Sequence, residues 1–207
     1  MKTKLIPFLL LVVIAISCKK TETKTVTNKV TITDTVTATE SPLKSVITQQ
    51  ILVDSVELDG NGPYEQGNTF YSSENGVISK LGLISPIDSI YKVTLWDATA
   101  DTVIVSANVH CTDSLHFFYT AITPVHILAN TPYLISANTA GGGVANNYTY
   151  YYYELQTQNT LAYPYAIGNI TFTNCLWITA SGTTYPIHTE SDELGDADFI
   201  FKADSDN

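Results

Sequence analysis

Apolar and polar positions alternate in short runs over most of this chain. Val77-Ile78-Ser79-Lys80-Leu81, Tyr91-Lys92-Val93-Thr94-Leu95-Trp96, Val103 to Val109, Leu115 to Tyr119, Tyr133 to Ala137, Tyr148 to Leu155, Ile170 to Ile178 and Phe199 to Phe201 are each bounded by Gly, Pro, Asn, Asp or Ser. A two-residue period sends successive side chains to opposite faces, so each run predicts a strand. No long segment shows helical periodicity with caps. Many short strands separated by turn residues predict an all-β domain over residues 45–207, an antiparallel β-sandwich or jelly roll.

The first 44 residues read differently. Two lysines, Lys2 and Lys4, precede an uncharged run from Leu5 to Ser17. That run is too short to cross a hydrocarbon core of roughly 30 Å, which takes about 20 helical residues, so it predicts a cleaved export signal rather than a permanent span. Residues 19–44 follow, with threonine at almost every odd position from Thr21 to Thr39 and no aromatic residue. Such a composition buries too little surface to offset the entropy of ordering and predicts a disordered tether. Extended at about 3.3 Å per residue, it would reach on the order of 70 Å. The same Thr/Val alternation is β-prone, and pairing with a partner strand is the alternative.

The export signal ends Ala15-Ile16-Ser17-Cys18, which resembles the lipobox of bacterial lipoproteins, with alanine where that family most often has leucine. The resemblance implies cleavage before Cys18 and its acylation. At roughly 0.8 kcal/mol per buried methylene, more than one acyl chain holds a protein stably on a membrane without spanning it. The location expected is the cell envelope, on the periplasmic or surface face of the outer membrane.

Charge narrows the partners. The chain has no arginine, its formal net charge is −10, and beyond position 50 only Lys80, Lys92 and Lys202 are cationic. Binding to a phosphate backbone needs clustered Lys or Arg, so nucleic acid is excluded as a partner. Cys111 and Cys175 remain besides Cys18, and an oxidising compartment invites a disulfide between them, worth roughly 4 kcal/mol in the chain-entropy model. Strand phase opposes it: Cys111 shares parity with Val103, Val105, Ala107 and Val109, whereas Cys175 falls opposite to Ile170, Phe172 and Leu176, unless a bulge intervenes.

Five segments, in order, carry a second likeness: Gly67-Asn68-Thr69-Phe70, Gly76-Val77-Ile78, Tyr91-Lys92-Val93-Thr94-Leu95-Trp96-Asp97-Ala98, Pro124-Val125-His126-Ile127-Leu128 and Thr131-Pro132-Tyr133-Leu134-Ile135-Ser136. Over roughly residues 57–203 the chain resembles a bacterial extracellular domain of unknown function. The resemblance implies a β-sandwich module of secreted surface proteins with no established activity and no catalytic residues to carry over. Gly82-Leu83-Ile84 and Leu115-His116-Phe117 depart from its pattern, where an aromatic-rich turn and a Gly-Trp pair are usual.

Candidate sites rest on residue type. Tyr148, Tyr150, Tyr151, Tyr152 and Tyr153 lie in one run, and alternate tyrosines of a strand face opposite sides. Exposed rings there, with Trp96, would stack on sugars or fill an interface; the plainer alternative is cross-strand packing that fixes register. Asp192, Asp196 and Asp198 stand in an acidic stretch that could give oxygen ligands to calcium, although the spacing is not that of an EF-hand. His110, His116, His126 and His188 have no metal-binding spacing, and no nucleophile elbow or phosphate loop is present in the sequence. Asp34-Thr35-Val36, Asp54-Ser55-Val56, Asp88-Ser89-Ile90, Asp101-Thr102-Val103 and Asp113-Ser114-Leu115 resemble the Asp-Ser/Thr-aliphatic O-glycosylation sites of Bacteroidetes-type exported proteins. The expectation is a non-catalytic envelope lipoprotein that binds a glycan or surface polymer. The alternatives are an assembly subunit contacting other envelope proteins and, third, a glycan hydrolase.

Overall fold

The computed structural model describes residues 31–32, 41–48, 52–57, 62–143, 150–155, 163–190, 193–194 and 196–204. Cys18 and the expected export signal lie outside them. The elements in chain order are β1 (Thr31–Ile32), α1 (Pro42–Thr48), β2 (Leu52–Glu57), β3 (Tyr64–Ser72), β4 (Gly76–Leu83), β5 (Ser89–Asp97), β6 (Thr102–Cys111), β7 (Phe118–Ile127), β8 (Tyr133–Asn138), β9 (Tyr150–Leu155), β10 (Tyr165–Ile167), β11 (Ile170–Thr179), β12 (His188–Glu190), β13 (Glu193–Leu194) and β14 (Ala197–Ala203). A short 3-10 turn, Thr139–Gly142, follows β8. No described helix is long and apolar enough to cross a membrane.

The expected all-β sandwich is what forms. An eight-stranded sheet runs β1-β10-β11-β3-β8-β5-β6, with β12 attached to β11, and two three-stranded sheets, β14-β4-β7 and β13-β9-β2, complete the fold. All pairings are antiparallel except β1 on β10. The core lies between the large sheet and β14-β4-β7. Phe70, Phe172, Tyr91, Val93, Leu95 and Ile135 from the first meet Ile78, Leu81, Phe199 and Phe201 from the second, all of them buried. Phe70 stacks on Phe199 across the layers with ring centroids 4.6 Å apart. Truncating a buried Phe to Ala in such a core costs about 3–5 kcal/mol.

Several expected strands are present with shifted ends, and Leu115 to Tyr119 is not one of them. Leu115 is exposed in the loop before β7, which runs from Phe118 through Pro124 to Ile127. The central strand β3 escaped the alternation pattern because its sequence, YEQGNTFYS, carries polar residues on both faces, and Glu65, Gln66 and Asn68 are buried nonetheless. The tether expectation needs two corrections. Thr31 and Ile32 pair with Ala166 and Ile167, so part of the segment expected to be disordered is an edge strand of the large sheet. The folded unit also begins before position 45: Pro42 opens a seven-residue helix whose Leu43 and Val46 are fully buried. Proline suits a first helical turn, where its missing N–H would have no partner anyway.

The cysteines need a correction as well. A bulge between Phe172 and Asn174 shifts the phase of β11, so Cys175 comes opposite Asn68, on the same face as Phe70 and Ile135. Cys111, Val109, Ala107 and Val105 pair with core-facing residues of β5, while a second bulge, between Leu95 and Trp96, sends Val103 to the other face. The two thiols therefore share the inner face, yet β3, β8 and β5 stand between their strands. At about 4.8 Å per strand the gap far exceeds the ~7 Å Cα separation beyond which no disulfide closes. Both are buried thiols. Burial, with Asp196 next in effect, pushes the Cys111 thiol up to about 12. A thiol reagent applied to the Cys18→Ser chain is expected to label nothing at neutral pH in the folded state and two thiols after unfolding in guanidinium. Absence of label after unfolding without reductant would restore the disulfide.

Candidate functional site

Trp96, read from sequence as an outward ring, points away from the core but is only 3% exposed. Tyr185, from the segment joining β11 to β12, packs edge-on against it with centroids 5.5 Å apart. Its ring is thus not available as a stacking platform, and that expectation is corrected. The reason is a strap, residues 180–187, laid over the outer face of the large sheet. Trp96 Nε1 donates to Ser136 Oγ at 2.7 Å, and Ser136 Oγ donates to Glu65 Oε1 at 2.5 Å. Asn138 Nδ2 reaches Glu65 Oε2 at 3.0 Å and the carbonyls of Ala180 and Gly182 at 3.0 and 3.2 Å. Gly67 sits in the same row, where a Cβ would run into the Ile135 carbonyl.

Glu65 is the residue that sequence reading missed here. Its carboxyl is fully buried, and burial raises its pKa above the ordinary carboxylate range, opposed by hydrogen bonds from Ser136 and Asn138, the Lys92 charge and the Thr184 backbone. A buried acid must be neutral or held by donors, and both oxygens here have donors inside the fold. The group fastens the strap.

Asp198 is another buried carboxylate, and it faces away from the core on β14, toward α1. Its oxygens accept from Ser41 Oγ at 2.6 Å, Leu43 N at 3.1 Å, Lys44 N at 3.2 Å and Tyr119 OH at 2.9 Å. Ser41 and Tyr119 also hydrogen-bond to each other. Asp198 thus supplies the capping carboxylate of α1 from a distant strand, satisfying amides that a helix start leaves without partners. Gly82, opposite Asp198 in the sheet, leaves room for the Tyr119 ring.

Of the three residues expected to ligate calcium, Asp198 is already engaged within the fold. Four protein donors occupy the oxygens of Asp198 that a cation would need. Asp196 is buried at positive φ, and its charge helps raise the pKa of Cys111 and Tyr91. Asp192 lies outside the described residues, among which no group of three His, Cys, Asp or Glu could hold a metal ion. Tyr148 also lies outside them, and Tyr150 and Tyr152 are described only as backbone of β9, paired with Glu57, Ser55 and Leu194. Of the three buried carboxylates, Glu65 and Asp198 sit on opposite outer faces of the sandwich and do not form a pair.

The edges of the large sheet differ. One ends in the two-residue strand β1. The other ends in β6, ten residues long, with the sequence TVIVSANVHC. Natural edge strands are usually short, charged, interrupted by proline or covered. β6 has no acid, lysine or proline, and its one interruption is the bulge at Ile104. Val103 and Ile104 are 48% and 38% exposed. Among the described residues β6 forms a strand ladder only with β5, and β7 runs close beside its later half, where Thr120 Oγ1 donates to Asn108 O at 2.8 Å and Val109 and Cys111 are fully buried. The neighbouring edge, β7, carries Pro124. This open row of peptide groups flanked by aliphatic side chains is the candidate functional site.

One aromatic cluster stays partly exposed. Trp177 lies edge-on to Tyr64 at 5.7 Å and against His188 at 4.9 Å, at the far end of the large sheet. No model of a known protein family matches the chain, and no curated protein matches it.

The buried acid gives a pH test. A folded-state pKa raised above the unfolded value means the native state binds the extra proton, so this stabilisation is complete below the unfolded pKa and lost as pH rises through the folded one. Comparing wild type with Glu65→Gln by urea unfolding across pH 4 to 8, the variant is expected to gain stability relative to wild type as pH rises. A pH-independent difference would show that Glu65 ionises as freely folded as unfolded.

Proposed function

We propose that this chain is a non-catalytic envelope module, held to the outer membrane through acylated Cys18, whose β6 edge binds a protein partner by strand addition. The observation that carries this reading is the ten-residue, uncharged edge strand with exposed Val103 and Ile104. In strand addition, main-chain hydrogen bonds supply affinity and alternate side chains supply selectivity. Both are offered where β6 is exposed or half-buried, from Thr102 to Ala107. The anchor follows from the charged start, apolar run and lipobox-like residues before Cys18. The acidic surface and lack of arginine leave nucleic acid out.

Glycan recognition is the second reading. The partly exposed Trp177 beside Tyr64 and His188 favours it, since rings at such a surface stack on sugar faces.

Photo-crosslinking in intact envelopes separates the two. A photoreactive residue replacing Ser106 on β6 is expected to give protein adducts that disappear in the double variant Ile104→Lys, Asn108→Lys. The same residue replacing exposed Asn174 on β11 is expected to give none. Equal adducts at both positions, or none at Ser106, would remove strand addition. Retention on a glycan array that is lost in Trp177→Ala would then favour the second reading.

A further inference from the structure

We infer that the side chains of Lys92 and Asn138 join in an amide bond, formed within the fold with release of ammonia and with Glu65 as the proton carrier. This chemistry lies on the outer face of the large sheet and is independent of strand addition at β6.

Register puts the three groups in one row. Lys92 on β5 is paired with Asn138 on β8, and Asn138 is paired with Glu65 on β3. Directly opposed residues of an antiparallel pair project to the same face with Cβ atoms about 4.5–5.5 Å apart, a gap that a lysine stem can span. Glu65 Oε2 lies 3.0 Å from Asn138 Nδ2, and both residues are buried. Lys92 is exposed at the open end of the row, and its charge acts on the Glu65 carboxyl. Beyond position 50 the only other lysines have no carboxamide opposite them: Lys80 faces Ala121 and Ile200, and Lys202 faces Val77. Asn108 flanks Lys92 from β6, a strand without an acid, and is exposed.

A primary amide resists attack by an amine because its oxygen must carry charge and its leaving nitrogen needs a proton. Both needs are met here. Ala140 N donates to Asn138 Oδ1 at 3.1 Å, where the negative charge of addition gathers. Neutral Lys92 Nζ adds to Asn138 Cγ, and the proton it sheds passes to Glu65. Glu65 delivers a proton to Nδ2, the Cγ–Nδ2 bond breaks, and ammonia leaves. Glu65 ends as it began, and no oxidant or cofactor is consumed. Burial raises the Glu65 pKa toward the range in which one carboxyl can both take and give a proton. Ser136 Oγ, itself held by Trp96, fixes the other Glu65 oxygen. The strap leaves Asn138 only 4% exposed, so water is kept from competing with the amine at Cγ. The product ties β5 to β8 covalently and keeps one N–H for the strap carbonyls.

The sequence has no arginine, so trypsin cuts the unfolded chain only after lysine, and it does not cut after a lysine whose amine is acylated. The full chain, unfolded in urea and digested, is expected to yield residues 81–202 as one fragment. Its mass is expected to fall about 17 Da below that of its sequence, the loss of one ammonia. Full mass, whether or not the chain is cut after Lys92, overturns the inference. So does the mass loss accompanied by cleavage after Lys92, which places it at another amide. Glu65→Gln is expected to keep the wild-type circular dichroism spectrum and to give separate fragments 81–92 and 93–202 at full mass. A linked fragment from that variant overturns Glu65 as the carrier. Lys92→Gln, a change at an exposed position, should restore full mass to fragment 81–202. Asn108→Ala should stay linked; loss of the link there would move the bond to β6 and overturn the assignment to Asn138.

Discussion

A sheet buried on both faces constrains the rest of this molecule. The interior strand β8 is buried at all six positions, which is possible only because different structures cover its two sides. On one side the layer β14-β4-β7 packs around Phe70 and Phe199. On the other the strap over Trp96 and Glu65 replaces water with hydrogen bonds from Ser136 and Asn138. The first cover is hydrophobic and undirected. The second depends on specific polar partners and on a carboxyl whose proton balance shifts with its surroundings.

The same division explains how the tether meets the domain. Asp198 draws the first turn of α1 onto the back of β14, and Leu43 and Val46 seal that contact. A chain pulled at its N-terminus would load the pairing of β1 on β10 first and this joint next. Faces and entry point are thus closed by named contacts, and the first half of β6 is an exposed stretch of sheet edge.

Much of the architecture was legible in the sequence. Alternation at Tyr91 to Trp96, Val103 to Val109 and Tyr133 to Ala137 located β5, β6 and β8, because their core faces are aliphatic or aromatic. β3 was not legible, since Glu65 and Asn68 are polar residues held in the interior by tertiary contacts with Ser136, Asn138 and Tyr163 that no local pattern encodes. Parity arguments failed wherever a bulge intervened, as at Thr173 for Cys175 and at Ile104 for Val103. The acidic stretch near the C-terminus looked like ligands because composition records carboxylates and not their donors; for Asp198 the donors Ser41, Leu43 and Lys44 lie more than 150 residues earlier. The candidate edge was visible only in part, since β6 could be read as a strand but its place at the border of the sheet is a fact of topology.

Amide hydrogen exchange on the dilute protein tests most directly whether the large sheet is closed on its faces and open at β6. The account predicts slow exchange throughout β3 and β8, and alternation along Val105 to Ala107, where amides turned toward β5 are protected and those turned away exchange close to the rate of unstructured chain. Uniform protection along β6 matching that of β3 would mean that something already covers this border, and would contradict the account.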